Sequence, residues 1–344
     1  MRIAYSCAGE GFGHAARMAA LYPDLAVRHT VSLFVPLTIE NFVRSRLNSV
    51  NIEPIPCFEL SKRGNRIAYG ATAFNALRLA RDFLPEVFRL ARHLRRLRCE
   101  VVLSDFDPFL PFAARLAGIP VVQMNHPGIV LKYLEADPRS WLAALSACFL
   151  EGPSDARVIV SFYGGDIGPV LRKSLRRNRV RDAGFIAVNL KDEARARVLP
   201  VLDSMPGLNY KLYPSPGADF DEGLCSCSAV ITGAGHQTLS EALCLGKPVL
   251  ALPQEGQLEQ VLNARMLALT GKGMYCSVAE LPAALPRFLA RLTDYRAPRI
   301  LPPMFCLKDS HDRLLDRLDE CFIGLCSRTR QSVPAAAGKN AMAG

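Results

Sequence analysis

Two glycine-rich segments hold the residue types best placed to do chemistry. The first reads Gly9-Glu10-Gly11-Phe12-Gly13-His14. Gly11 and Gly13 let a second group approach the backbone closely. A histidine at the amino end of a helix suits a neutral base near pH 7, which takes a proton from a hydroxyl as its oxygen attacks an electrophilic carbon. His14 also fits a plain helix cap. A carboxylate on one ring nitrogen would stabilise the imidazolium that forms. Asp105 follows the apolar run 100–104 and is one supplier; Asp107 is its rival. Both also fit a turn or cap ahead of Pro108. His126, after the run 119–124, is a second candidate base or acceptor contact. A dinucleotide fingerprint would need glycine at 14 and an acid ending the second strand near Val35, so NAD binding is set aside.

The second segment is Thr232-Gly233-Ala234-Gly235-His236-Gln237-Thr238-Leu239-Ser240-Glu241. A strand meets a glycine turn, and a helix begins near Gly235. Free N–H groups of Gly235, His236, Gln237 and Thr238 would converge on one place, a site for a diphosphate. Glu241, one turn on, is placed to accept both ribose hydroxyls of a nucleotide. Thr238 with Glu241 fits a capping box equally well. The stretch 254–263 gathers Gln254, Glu255, Gln257, Glu259, Gln260 and Asn263. Polar groups of this density are costly to bury unpaired and suit the hydroxyls of a sugar, or a solvated helix start.

The elements that must position these residues alternate. Apolar runs at 2–7, 29–35, 50–56, 100–104, 119–124 and 156–162 are separated by helical periodicity at 13–25, 38–46, 73–97, 109–116 and 141–150. A second series places strands at 184–190, 210–213, 229–232 and 248–252, with helices at 192–202, 237–245, 258–269 and 278–292. Short apolar strands that do not alternate suit a parallel sheet covered on both faces. The expectation is α/β: two facing, Rossmann-like, doubly wound domains with ligands in the cleft between them. Residues 1–165 form the first domain, 166–182 a basic linker and 183–300 the second. A helix within 307–323 is expected to pack back on the first domain, and 328–344 to be disordered. The polar loop 59–72 is expected to line the cleft.

Composition bounds the partners. With 344 residues and 50% hydrophobic content, two domains are the prior. The charge of +10 concentrates in Arg89, Arg92, Arg95, Arg96 and Arg98, and in Arg172, Lys173, Arg176, Arg177, Arg179 and Arg181. Such clusters are solvated faces or draw an anionic partner: a membrane surface, a diphosphate or an acidic acceptor. Aromatics are not interleaved with them, so nucleic acid is not expected. The 11 cysteines are odd in number and scattered, which points to a reduced, cytoplasmic setting. Cys225-Ser226-Cys227 lacks a second pair at zinc spacing, so no metal site is expected.

With these residues in view, the chain resembles glycosyltransferases of the GT-B fold. It is most similar to relatives of the lipid II N-acetylglucosaminyltransferase and the UDP-glycosyltransferases. Gly9 to His14 followed by Arg17 looks like an uncharacterised bacterial and archaeal glycosyltransferase-like group. The resemblance implies His14 as general base and Asp105 as its support. It implies Gly233, Gly235, His236, Gln237 and Thr238 on the donor diphosphate, Glu241 on the ribose, and Glu259, Gln260 and Asn263 on the donor sugar. The acceptor side falls to Gly11, Gly13, Asp107 and His126. Relatives often carry histidine or arginine where this chain has Gly233; His236, or Asn189 with Lys191, would have to offset that charge. The implied function is metal-independent, inverting transfer of a sugar from a nucleotide-sugar co-substrate to a small-molecule or lipid-linked acceptor. UDP is the expected nucleotide, with dTDP and GDP as alternatives. A nucleotide-sugar 2-epimerase and a non-catalytic nucleotide-sugar-binding or partner protein are the rival functions.

Overall fold

The computed structural model of the chain describes residues 1–331, apart from 10, 48–49, 58–61, 64–65, 68 and 134–137. The first domain runs β1 (Arg2–Cys7), α1 (Gly13–Arg28), β2 (Thr30–Pro36), α2 (Leu37–Arg46), β3 (Ile52–Ile55), the two-residue strands β4 (Lys62–Arg63) and β5 (Arg66–Ile67), α3 (Tyr69–Arg96), β6 (Val101–Asp105), α4 (Phe109–Ala117), β7 (Val121–Asn125), α5 (Pro138–Glu151) and β8 (Ala156–Ile159). Six of these strands form one parallel sheet in the order β3-β2-β1-β6-β7-β8. A short helix, α6 (Lys173–Arg177), leads to the second domain: β9 (Ile186–Asn189), α7 (Asp192–Asp203), β10 (Tyr210–Tyr213), α8 (Phe220–Ser226), β11 (Ala229–Gly233), α9 (His236–Cys244), β12 (Val249–Leu252), α10 (Leu258–Thr270), β13 (Gly273–Tyr275), α11 (Leu281–Ala290) and α12 (Leu292–Arg296). Its parallel sheet runs β10-β9-β11-β12-β13. The chain closes with α13 (His311–Gln331).

Alternation along the central strands explains the layering. Ile3 and Tyr5 of β1 join one core with α1 and α13, while Ala4 joins the other with α3 and α4. In the second sheet Ala187 and Val230 face one way, Val188 and Ile231 the other. Strand order reverses between β1 and β6 in the first sheet, and between β9 and β11 in the second. Each reversal opens a crevice at the carboxyl ends of its strands, where an open α/β sheet binds its ligands.

Several expectations need correction. Within 59–72, residues 59–61, 64–65 and 68 lie outside the described residues; the remainder is the β4–β5 ladder and, from Tyr69, the start of α3. Helix α13 continues through Gln331, so 328–331 are helical and not a disordered tail; residues 332–344 lie outside the described residues. Leu314, Leu315, Leu318 and Phe322 of α13 are buried in the first domain's core. Each such burial stabilises by about 1.5–3 kcal/mol. His311–Asp24 and His29–Asp319 hydrogen bonds, both 2.7 Å, tie the helix to α1 and its end. The basic linker packs against both domains. Ile167 and Val170 enter the first domain's core, and Leu171 and Leu175 enter the core of the second. No helix among the described residues is long and apolar enough to cross a membrane.

Candidate active site

At the first crevice, β1 ends beside β6 with Cys7 opposite Asp105. Gly11 takes a positive φ of 82° and turns the chain into α1, which starts with no side-chain cap. His14, in the first turn, meets Asp105 at 2.7 Å between Nδ1 and Oδ1. A carboxylate only accepts, so Nδ1 carries a proton and Nε2 is the ring nitrogen left for a ligand. Arg17, one turn on, donates Nε to Asp105 Oδ2 at 2.7 Å and Nη2 to Oδ1 at 3.1 Å. Burial alone would raise the Asp105 carboxyl; the Arg17 charge and then His14 outweigh it and hold the group below the ordinary carboxylate range. Asp105 and Arg17 are both buried, while His14 keeps 15% of its side chain exposed. Removing one partner of a buried ion pair strands the other charge, at about 3–5 kcal/mol. Arg17→Ala should lose that much unfolding free energy in a urea melt; an unmoved midpoint would contradict the pairing.

Asp107 takes the cap reading ahead of Pro108 and not the acceptor role, and His126 is drawn into a contact between the domains. Asp107 is buried and accepts the Phe109 and Leu110 N–H groups at 3.2 and 3.0 Å, capping α4. Burial pushes its carboxyl up to about 6, against those two N–H bonds. His126 is buried too, donating Nε2 to Asn263 Oδ1 at 2.9 Å across the two domains. Its ring stacks on His236 with centroids 3.6 Å apart, and Tyr163 also donates to Asn263 Oδ1, at 2.7 Å. These residues form a polar joint beneath the cleft instead of an open acceptor wall. Asn263 is thereby spent on the joint, its Nδ2 donating to the Ala234 carbonyl at 3.0 Å.

The joint has a pH signature. Burial pulls His126 from 6.5 down to about 3, and pulls His236 in the same direction. Below about 6.5 the unfolded chain takes up the proton that the folded His126 refuses, down to about pH 3. Stability therefore falls with pH across that window, by about 1.4 kcal/mol per unit for one proton. Asp107 acts oppositely below about 6, because the folded chain takes its proton first. The stability gap between wild type and His126→Gln isolates the histidine, and it should shrink as pH drops from 7 to 4. A gap independent of pH would contradict this.

At the second crevice, β11 runs through Gly233 to Gly235, the N-cap of α9. Leu239 N–H makes the first turn's backbone bond, to Gly235 carbonyl at 3.3 Å. The helix has neither a side-chain cap nor an acid in its first turn. Gly235 is exposed, and Gln237 and Thr238 are partly exposed. The N–H groups of 236–238 therefore present partial positive charge to the cleft. The two helix starts meet there: a Cβ on Gly13 would lie 3.5 Å from Gln237 Cβ. Asn189 ends β9 beside this turn and its carbonyl accepts from Thr232 Oγ1 at 3.0 Å. His236 is buried and held neutral, so it brings no charge to replace the basic side chain absent at Gly233.

Glu241 differs most from expectation. Arg172, counted among the basic linker residues, donates Nε and Nη2 to its two oxygens at 2.8 and 2.7 Å. Gln237 Nε2 adds a bond to Oε1 at 2.9 Å. Three of about four acceptor positions are occupied, which leaves room for one hydroxyl and not two. The cause is burial: a carboxylate with 1% exposure needs a cation, and Arg172 also pairs with buried Asp221. Gln260 is engaged with its own loop, accepting from Gln254 N–H at 2.9 Å and donating to Gln257 at 2.6 Å. Glu259 stays partly exposed, 3.8 Å from His126 Nε2.

The site thus sets the His14–Asp105–Arg17 cluster of one domain against the uncapped start of α9 on the other. Sequence reasoning missed the roles of Arg17 and Arg172. The signal for Arg17 was its place three residues after His14, on the same helix face.

The chain has relatives among known proteins and solved structures. An uncharacterized glycosyltransferase of Methanopyrus kandleri is 35% identical over 250 residues, 61% of this chain and 73% of that protein. One from Methanosarcina acetivorans is 31% identical over 113 residues, 27% of this chain; the match spans only 30% of that relative's length. Among solved structures, the glycotransferase of kitacinnamycin superposes with TM-score 0.58 at 16% identity, covering 96% of this chain and 95% of that one. MurG of Acinetobacter baumannii gives 0.57 at 15%, covering 93% and 99%. Spinosyn rhamnosyltransferase SpnG complexed with thymidine diphosphate gives 0.57 at 16%, covering 93% and 96%. At these identities the likeness establishes the two-domain GT-B fold. The profile of glycosyl transferase family 1 matches residues 1–161 and 175–293, well over half of the sequence, and the chain belongs to that family.

Proposed function

We propose that the chain transfers a sugar, with inversion, from a nucleotide diphosphate donor to a hydroxyl on a small-molecule or lipid-linked acceptor. The observation that carries the proposal is the opposition of the His14–Asp105 pair to the uncapped start of α9. His14 Nε2 takes the acceptor's proton while the acceptor oxygen attacks the anomeric carbon. Asp105 stabilises the imidazolium as it forms. Charge grows on the leaving diphosphate as its bond to the sugar breaks, and the N–H groups of 236–238 meet that charge. Preorganised donors aimed at developing charge lower the barrier more than they tighten ground-state binding. The helix end does this work in place of a metal ion.

The donor nucleotide is the first thing to test. UDP-sugars lead, and dTDP- and GDP-sugars belong in the same screen because one structural neighbour holds thymidine diphosphate. A ligand at about 100 times its Kd adds about 2.7 kcal/mol to folded-state stability, a clear rise in melting midpoint. One nucleotide class should produce that rise. Midpoints unmoved by every nucleoside diphosphate and its sugars would remove the proposal.

A further inference from the structure

Phe106 lies between the two aspartates of the first crevice with a left-handed backbone, φ 64°. Bulky side chains rarely adopt that region, because Cβ crowds the backbone there. Among the described residues Arg98 is its one non-glycine companion. Such strain persists only where the surroundings over-determine it, and residues of this kind cluster at active sites and ligand clamps. Both neighbours of Phe106 are pinned. Asp105 is held by two bonds from Arg17, and its carbonyl accepts the Ala8 N–H at 2.9 Å. Asp107 caps α4, and its main chain exchanges bonds with Ser104 Oγ, accepting at 3.1 Å and donating at 3.3 Å. The chain between these anchors cannot relax. Its product is the attitude of one ring: Phe106 lies parallel to the His14 imidazole, 9° between planes, centroids 6.1 Å apart.

We propose that Phe106 is a positioning residue for the base. The strained turn holds the phenyl ring along one face of His14 and restricts rotation of the imidazole, so that Nδ1 remains on Asp105 and Nε2 remains available to the acceptor. The inference rests on His14 acting as the base, and its test separates the two claims.

Nitrogen-15 long-range spectra of the full chain report the tautomer of each of its six histidines, and His14→Ala identifies the His14 signals. Wild type and Phe106→Tyr should show a fixed Nδ1–H tautomer at His14, and Phe106→Ala an average of both. Stability supplies a second readout that needs no substrate. Phe106→Gly and Phe106→Ala both delete the ring, but only glycine accepts this backbone without strain. The glycine variant should therefore melt higher, reversing the usual order of the two residues. Nucleotide release from the UDP-, dTDP- or GDP-sugar that binds is the third. Phe106→Ala should lower kcat roughly tenfold or more with donor KM unchanged, and Phe106→Tyr should restore it. An unaltered His14 tautomer with unaltered kcat in Phe106→Ala overturns the proposal, as does an alanine variant at least as stable as the glycine one. Turnover that survives His14→Ala overturns the base assignment instead.

Discussion

His14→Ala should cut turnover by about 10²–10⁴-fold, the range for losing a general base. Nucleotide diphosphate affinity should not change, because His14 belongs to the first domain's crevice and the proposed phosphate site to the second domain's helix α9. The two readouts together separate chemistry from binding: a base lost from the transition state lowers kcat and leaves donor KM in place. Asp105→Asn should fall in the same direction. An amide can donate to Nδ1 and so favour the wrong tautomer, with the proton on Nε2. It would also leave the buried Arg17 without its carboxylate, so the variant's folding has to be checked by melting. Full turnover in His14→Ala would remove the base from the mechanism.

Thr238→Asp should weaken nucleotide diphosphate binding by about two orders of magnitude while the fold holds or gains stability. The opposite signs are the point of the test. An acid in the first turn of an uncapped helix favours the helix by about 0.3–1 kcal/mol. The same carboxylate repels a phosphate. At about 5 Å and an effective dielectric constant of about 20, one unit charge costs another about 3 kcal/mol. Thr238 is partly exposed at the start of α9, so the substitution buries no new charge. Calorimetric titration with the nucleoside diphosphate and a thermal melt give both numbers. Unchanged affinity would place the phosphates somewhere other than the start of α9.

The fold was legible because its signal is local. Short apolar runs that do not alternate, spaced by helical periodicity, specify buried parallel strands wherever they occur. The elements that escaped are those whose pattern is set by a distant neighbour. Helix α8 holds Gly223 in its interior, where sequence suggests a break. The glycine is there because a Cβ would collide with the Tyr213 hydroxyl. Strand β13 is three residues long at a sheet edge and begins with glycine, too brief to show a period.

The site was legible in outline and less so in its ion pairs. Glycine loops announce where backbone must turn, which singled out 9–14 and 233–238. Nothing in the spacing distinguishes Asp105 from Asp107, two residues apart; one ends a strand and the other caps a helix. Arg17 lies 88 residues from Asp105, and Arg172 lies 69 from Glu241. In a chain of charge +10 Arg172 reads as one more solvated cation until the fold buries it against a carboxylate, and Arg17 shows only as a neighbour of His14, with its partner unnamed. Glu241 reads as a ribose contact or half of a capping box for the same reason: its partner Arg172 is named by tertiary structure alone.

A crystal structure with the bound nucleoside diphosphate tests the central claim most directly. The diphosphate oxygens should lie within hydrogen-bond distance of the 236–238 N–H groups, with the terminal phosphate facing His14 across the cleft. A diphosphate seated elsewhere, with the start of α9 left to solvent or covered by protein, would contradict it.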